Sequence, residues 1–200
     1  MQQQQPTQIG EFVAGGFFGG VINVNGTHKG VIWAPKKEGQ IKAILLPQGR
    51  RYFSAQSPND CLRNTQELLT VGSPAAQQVT ALNINGFSDW LIPSRDVLEL
   101  GYRHFKPTTY KNYCSWRDGE NPNSVPPGWL YTPEFPAQTP LAIVLEVGQE
   151  AFDDYAYWSS TVLPNGETAF YQYFYDGCQI DSYLCAECRV RAVRLIQLGS

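Results

Sequence analysis

An α+β fold is predicted by three features of this chain: β-branched runs near both ends, capped helical segments between them, and a weakly charged, glycine-rich, aromatic composition. Of its 200 residues 16% are charged, 13% are aromatic and 18 are glycine. The charged share falls below the roughly 25% usual for soluble domains, which favours strands and turns over long solvated helices. At this length one domain buries roughly 70% of its unfolded surface and folds without metal or disulfide staples.

The elements follow in order. Residues 1–9, Met1-Gln-Gln-Gln-Gln-Pro6 and onward, read as a flexible polar arm, and residues 10–198 as one domain. Val21–Val24 and Lys29–Ala34 flank Asn25-Gly26, a pair that tolerates the positive φ of a tight hairpin turn. Ile41–Leu46 is a third strand. Asn59 or Asp60 caps a helix through about Leu69, and Ser73 with Pro74 starts another to Leu82. Ser94 caps Arg95–Phe105, in which Leu98, Tyr102 and Phe105 share one face and Asp96 and Glu99 lie near the positive end. Pro107 to Gln149 is a long segment held in order by Tyr110, Tyr113, Trp116, Trp129, Tyr131 and Phe135. Strands at Ala156–Thr161, Thr168–Asp176 and Arg189–Leu198 return the chain to the first sheet, the last half-buried with a period of two.

A net charge of −3, with no run of Lys or Arg longer than two, argues against nucleic acid as a partner. No apolar stretch is long enough for membrane insertion, and the start lacks a secretory signal pattern, so the chain is expected to be made and kept in the cytoplasm or released within an assembly. Five cysteines argue against a full disulfide framework; Cys61, Cys114, Cys178, Cys185 and Cys188 read as reduced, packed thiols, with a zinc site a weaker alternative. Of two histidines, His28 sits by the hairpin turn and His104 on the charged side of a helix, and neither belongs to a nucleophile or metalloprotease motif. Catalytic residues, cofactors and metal ligands are therefore expected to be none; Glu150, Asp153 and Asp154 read as solvated surface acids.

Three motifs in order, Asp89-Trp-Leu-Ile-Pro-Ser-Arg-Asp-Val-Leu-Glu-Leu100, Tyr157-Trp-Ser-Ser-Thr161 and Arg189-Val-Arg-Ala-Val-Arg194, resemble the signatures of the family named for the C-terminal domain of the Legionella collagen-like adhesin. Gly15-Gly16, the Asn25–Pro35 hairpin and Asn64-Thr65 are similar to its form in tailed-phage and prophage proteins, so the likeness spans about Gly10 to Ile196. The resemblance implies a C-type-lectin-like fold: a small mixed or antiparallel sheet, two main helices and long ordered loops. It also implies a virion surface component (receptor-binding, tail-fibre or head-decoration), homo-oligomeric with a trimer favoured, and related to the variable proteins of diversity-generating retroelements. Its expected partners are a host-surface polysaccharide or protein and, through the N-terminal arm, other virion proteins. The calcium tripeptides of lectins are absent, so calcium is not implied.

The residues themselves agree with a scaffold and a display face. Trp90 and Trp158 need burial with the indole N–H on a carbonyl, and Arg95, Arg189, Arg191 and Arg194 suit bidentate pairing with Asp89, Asp96, Glu99 or sheet carbonyls. Alternation along Ala169–Gly177 puts Phe170, Gln172 and Phe174 on one side and Tyr171, Tyr173 and Tyr175 on the other. The tyrosines, with Tyr155, Asp176, Asp181, Ser182 and Tyr183, form the expected ligand-binding surface, since Tyr offers contact area at low entropic cost. Two further readings are a purely structural virion decoration protein and an oxidase of the formylglycine-generating kind using Cys185 and Cys188. That pair is more closely spaced than in such enzymes, and their tryptophan-bearing loop is missing.

Overall fold

The computed structural model describes residues 6–115 and 117–199. Residues 1–5 of the arm and Trp116 of the long segment lie outside the described residues. The fold is mixed α+β, with few helices and two curled, largely antiparallel five-stranded sheets rather than one small sheet.

The first sheet joins the two ends of the chain. Strands β1 (Phe12–Val13), β2 (Gly16–Val24) and β3 (Thr27–Trp33) run in order, and the last strand of the chain lies beside β3. The β2–β3 turn works as its residues dictate: Asn25 and Gly26 take φ of 51° and 85°, and Val24 pairs with Thr27. A short helix α1 (Lys36–Gly39) then leads to β4 (Gln40–Ala43) in the second sheet. The third strand ends earlier than expected because the chain bends after Ala43, where the Leu45 and Leu46 N–H groups both donate to the Leu184 carbonyl.

Helices α2 (Cys61–Thr70), α3 (Pro74–Thr80) and α4 (Arg95–Phe105) follow. Asp60 caps α2 by accepting from the Arg63 N–H at 2.9 Å, and Ser73 caps α3 by accepting from Ala76 at 3.3 Å. Ser94 does not cap α4; its hydroxyl lies 3.4 Å from the buried Cys61 thiol. The long segment is folded back by β5 (Ser124–Val125), which adds to β2, and by a short 3₁₀ turn at Ala142–Val144.

Strands β6 (Ala156–Val162), β7 (Thr168–Tyr173), β8 (Gln179–Tyr183) and β9 (Cys188–Arg191) complete the second sheet in the order β4-β9-β6-β7-β8, with β9 parallel to β6. The final run predicted as one strand is two. After Arg191 the chain changes sheets at the fully buried Ala192, and β10 (Val193–Gln197) pairs with β3. Ala192 bridges the two sheets, accepting from Ala34 N and donating to Gly39 O, both at 2.9 Å.

Two cores flank the second sheet. Leu68, Ala75, Val79, Trp90, Trp158 and Val190 pack beneath α2 and α3. On the α4 side Trp33, Tyr102, Phe105, Phe152, Tyr157 and Phe174 form an aromatic cluster. Gly101 and Gly19 are required there, because a Cβ on either would come within about 2.4 Å of the Trp33 indole.

Candidate functional site

The site is built on the face of β7 that carries the tyrosines. Phe174 just beyond the strand is fully buried and stacks on Phe152 with ring centroids 3.7 Å apart and an interplanar angle of 8°. Phe174 faces inward, while Tyr173 at the end of the strand and Tyr175 in the turn after it stay half-buried. The Tyr171 and Tyr173 rings meet edge to face at 5.5 Å, Tyr173 and Tyr175 at 5.3 Å, and Tyr110 from the long segment extends the row at 6.5 Å from Tyr175. At the inner end Tyr171 abuts Trp158 at 5.9 Å. The row thus passes from closed core at Trp158 to half-buried Tyr171, Tyr173 and Tyr175 and exposed Tyr110.

Beside this row lies an open groove of about 540 Å³ bordered by Tyr155, Tyr171, Tyr173, Ser182, Lys42 and Arg189. Arg189 stacks its guanidinium 3.8 Å from the centroid of the Tyr155 ring, which is 60% exposed. Asp153 holds that guanidinium at 3.2 Å and is itself held by Lys36 at 2.6 Å and Gln40 at 2.7 Å. Burial alone would raise the Asp153 carboxyl, but its Lys36 and Gln40 hydrogen bonds and the cations outweigh that and hold it below the usual carboxylate range. Lys42 is paired with Glu187 at 2.7 Å on the exposed rim.

The frame beneath is fixed by buried polar groups. Trp90 donates to Phe87 O at 2.9 Å and Trp158 to Ala186 O at 3.3 Å. Arg194 forks onto Asp89, reaches Ala14 O and lies 3.8 Å over the Phe87 ring. Arg191 donates to Ala34 O and pairs with Glu150, and Arg95 pairs with Asp96 at 2.8 Å. Burial lowers the Arg191 pKa to about 10, against the opposing pull of Glu150. The long segment is pinned by Lys106, a buried ammonium caged by Tyr110 O, Asn112 Oδ1 and Pro136 O at 2.6, 2.8 and 3.2 Å. Glu99, buried on α4, is bound by Arg103, Asn121 and Tyr131, and burial raises its carboxyl.

Several expectations are corrected. The eight ligand-binding candidates do not share one face: β7 pairs Phe170 with Asp181 and Thr168 with Tyr183, so Asp181 and Tyr183 stand on the side opposite Tyr171 and Tyr173. Tyr183 borders a different groove, near Arg51 and Cys185. Asp176 is half-buried, its Oδ1 accepting from Cys178 N at 3.0 Å, and serves the turn after β7. Arg189 is more than frame, since it lines the groove. The last run is not half-buried with arginines on an open side: Arg191 is buried, because its guanidinium finds the Ala34 carbonyl and the Glu150 carboxylate. Glu99 pairs with Arg103 and not with a frame arginine, and Glu150 and Asp153 are part-buried partners of cations, not solvated acids. His104 is packed against β2, its Nδ1 donating to Gly19 O at 2.8 Å, and burial lowers its pKa.

Lys42, Asp154 and Glu187 also border the groove and Tyr110 extends the row, though the sequence assigns none of them to the binding surface. Asp154 and Glu187 have a local signal, one beside Tyr155 and the other two positions before Arg189; Lys42 and Tyr110 come from distant segments that only the fold brings to the site.

All five cysteines are free, and burial pushes the Cys178 and Cys188 thiols up to about 11. Among the described residues no three His, Cys, Asp or Glu side chains gather in a way that would hold a metal ion, and no helix is long and apolar enough to cross a membrane.

Fold and site together define a mixed α+β protein whose chain ends share one sheet and whose second sheet presents an aromatic groove. Neither protein-family models nor curated proteins give a match to the chain.

Proposed function

We propose that this protein is a non-enzymatic binding module of C-type-lectin-like architecture, a surface component of a phage particle that uses the tyrosine groove to touch a host-surface polysaccharide or protein. The observation that carries the reading is the half-buried row Tyr171, Tyr173 and Tyr175, whose first two members border a groove while Gln172 and Phe174 between them are locked in core. Rigid, amphipathic rings over a fixed frame suit recognition, since little side-chain freedom is lost on binding. The meeting of chain ends in one sheet and the two longer helices support the lectin-like assignment.

An oxidase built on Cys185 and Cys188 is disfavoured by the raised Cys188 thiol, because such chemistry needs a thiolate at neutral pH. Oligomerisation as a trimer, attachment of the particle through the N-terminal arm, and descent from a diversified locus are parts of the same proposal that rest on the resemblance. The test is a binding screen of the protein on immobilised bacterial surface polysaccharides and surface proteins, run in parallel with Tyr171→Ser/Tyr173→Ser. A target bound by the parent and lost by a folded variant supports the reading; a target bound equally by both rejects it.

A further inference from the structure

Where the tyrosine row ends, a small cavity of about 60 Å³ lies between the long segment and the start of β6, bounded by Tyr110, Tyr175, Phe152, Glu146, Asp153 and Asp154. It has room for a few water-sized groups. Two kinds of chemistry meet there. Tyr110 and Tyr175 present ring surfaces set nearly perpendicular, at 88° and 6.5 Å. Three carboxylates face the same space, but only Asp153 is neutralised, by Lys36 and Arg189. Glu146 and Asp154 have no cation partner among the described residues, and both are exposed. Asp154 also borders the main groove, so the cavity adjoins it.

The neighbouring cations cannot fill the gap. Lys42 is taken by Glu187, and the Lys106 ammonium is bound by three oxygens of the long segment. The Tyr175 hydroxyl is raised first by burial and then by the Asp176 charge, with smaller contributions from Tyr173 and Asp154. Aromatic faces with uncompensated carboxylates attract a compact cation, through the ring quadrupole and through charge.

We infer that this cavity is a subsite for a lysine ammonium presented by a protein partner, with Asp154 and Glu146 as its counter-charges and the Tyr110 and Tyr175 rings as its walls. The inference rests on the groove being the recognition surface, and it names a partner class: a protein segment that lays its backbone along Tyr171 and Tyr173 and puts a lysine into the end of the row. A neutral or sulphated polysaccharide has no group for this position.

The test uses the full chain with ¹³C-labelled tyrosine rings, titrated with Nα-acetyl-lysine-N-methylamide, its Nε-acetylated neutral form, and glucosamine as a sugar amine. The expected result is a saturable shift of the Tyr110 and Tyr175 signals with the lysine probe. The neutral form should give none, glucosamine a weaker effect, and Asp154→Asn/Glu146→Gln about a tenfold loss of affinity. Both changes replace exposed acids and leave the core untouched. Absence of saturable shifts, equal shifts with the neutral probe, or unchanged affinity in the double variant each overturns the subsite. Glucosamine binding as tightly as lysine overturns the protein assignment. Failure here differs from failure of the groove reading, for a screened target that loses binding to Tyr171→Ser/Tyr173→Ser but keeps it with Asp154→Asn/Glu146→Gln rejects the subsite alone.

Discussion

Phe174 lies face to face with Phe152, 3.7 Å between ring centroids, and both belong to the aromatic cluster that contains Trp33, Tyr102 and Tyr157. This one stack anchors the tyrosine row: Phe174 is fully buried, and Tyr173 and Tyr175 on either side of it stay half-buried.

Phe174→Ala should therefore act twice. Loss of a fully buried ring costs about 3–5 kcal/mol, and it removes the anchor between Tyr173 and Tyr175. Chemical denaturation should show the lost stability, and any target found for the groove should be lost with it. Phe174→Leu keeps most of the volume without the stacking and is expected to cost about half as much or less.

Arg194→Lys tests the clamp between β10 and the Asp89 turn. Asp89 is 59% exposed in its side chain, so its charge can be solvated when the fork is lost. The cost then comes from the Ala14 carbonyl contact and from stacking on Phe87, about 1–2 kcal/mol rather than the larger penalty of a stranded buried charge. Thermal unfolding of the variant reads it directly.

Glu99 makes stability depend on pH with a definite sign. Burial raises its carboxyl in the folded state above the value of 4.5 in the unfolded chain, against the opposing pull of Arg103, Asn121 and Tyr131. The folded state therefore binds this proton more tightly. The contribution is complete below 4.5 and is lost as pH rises through the folded value. Glu99→Gln removes that proton, so its stability relative to the parent should improve as pH rises from 4 to 7. A flat difference between the two denaturation series would contradict the buried-acid account.

The thiols give a separate check on the oxidase reading. With Cys188 pushed up to about 11 and Cys61 likewise, both by burial, their alkylation by iodoacetamide at neutral pH should be slower than that of a free cysteine. Rapid paired labelling of Cys185 and Cys188, with copper binding, would favour the oxidase instead.

Much of the fold is legible in local chemistry. The Asn25-Gly26 turn, the Asp60 and Ser73 caps and the burial of Trp90 and Trp158 each depend on a residue and its near neighbours, and each stands where those residues require. What is illegible depends on partners far along the chain. The run from Arg189 to Leu198 reads as one strand: its alternation lapses after Ala192, but a lapse alone does not show that the chain leaves one sheet for the other there. Strand β8 hides within the tyrosine-rich stretch, and without its register Asp181 and Tyr183 cannot be assigned a face. Tyr110 reaches the site from 65 positions before Tyr175, guided by the Lys106 cage, which no spacing rule announces.

Hydroxyl-radical footprinting of the free and target-bound protein tests most directly whether a locked frame displays the tyrosine edge. Oxidation of Tyr155, Tyr171 and Tyr173 in the free protein, their protection in the complex, and silence at Trp158 and Phe174 in both states is the predicted pattern. Protection confined to another surface, such as the exposed Trp129, or oxidation of Trp158 and Phe174 without any target, would contradict it.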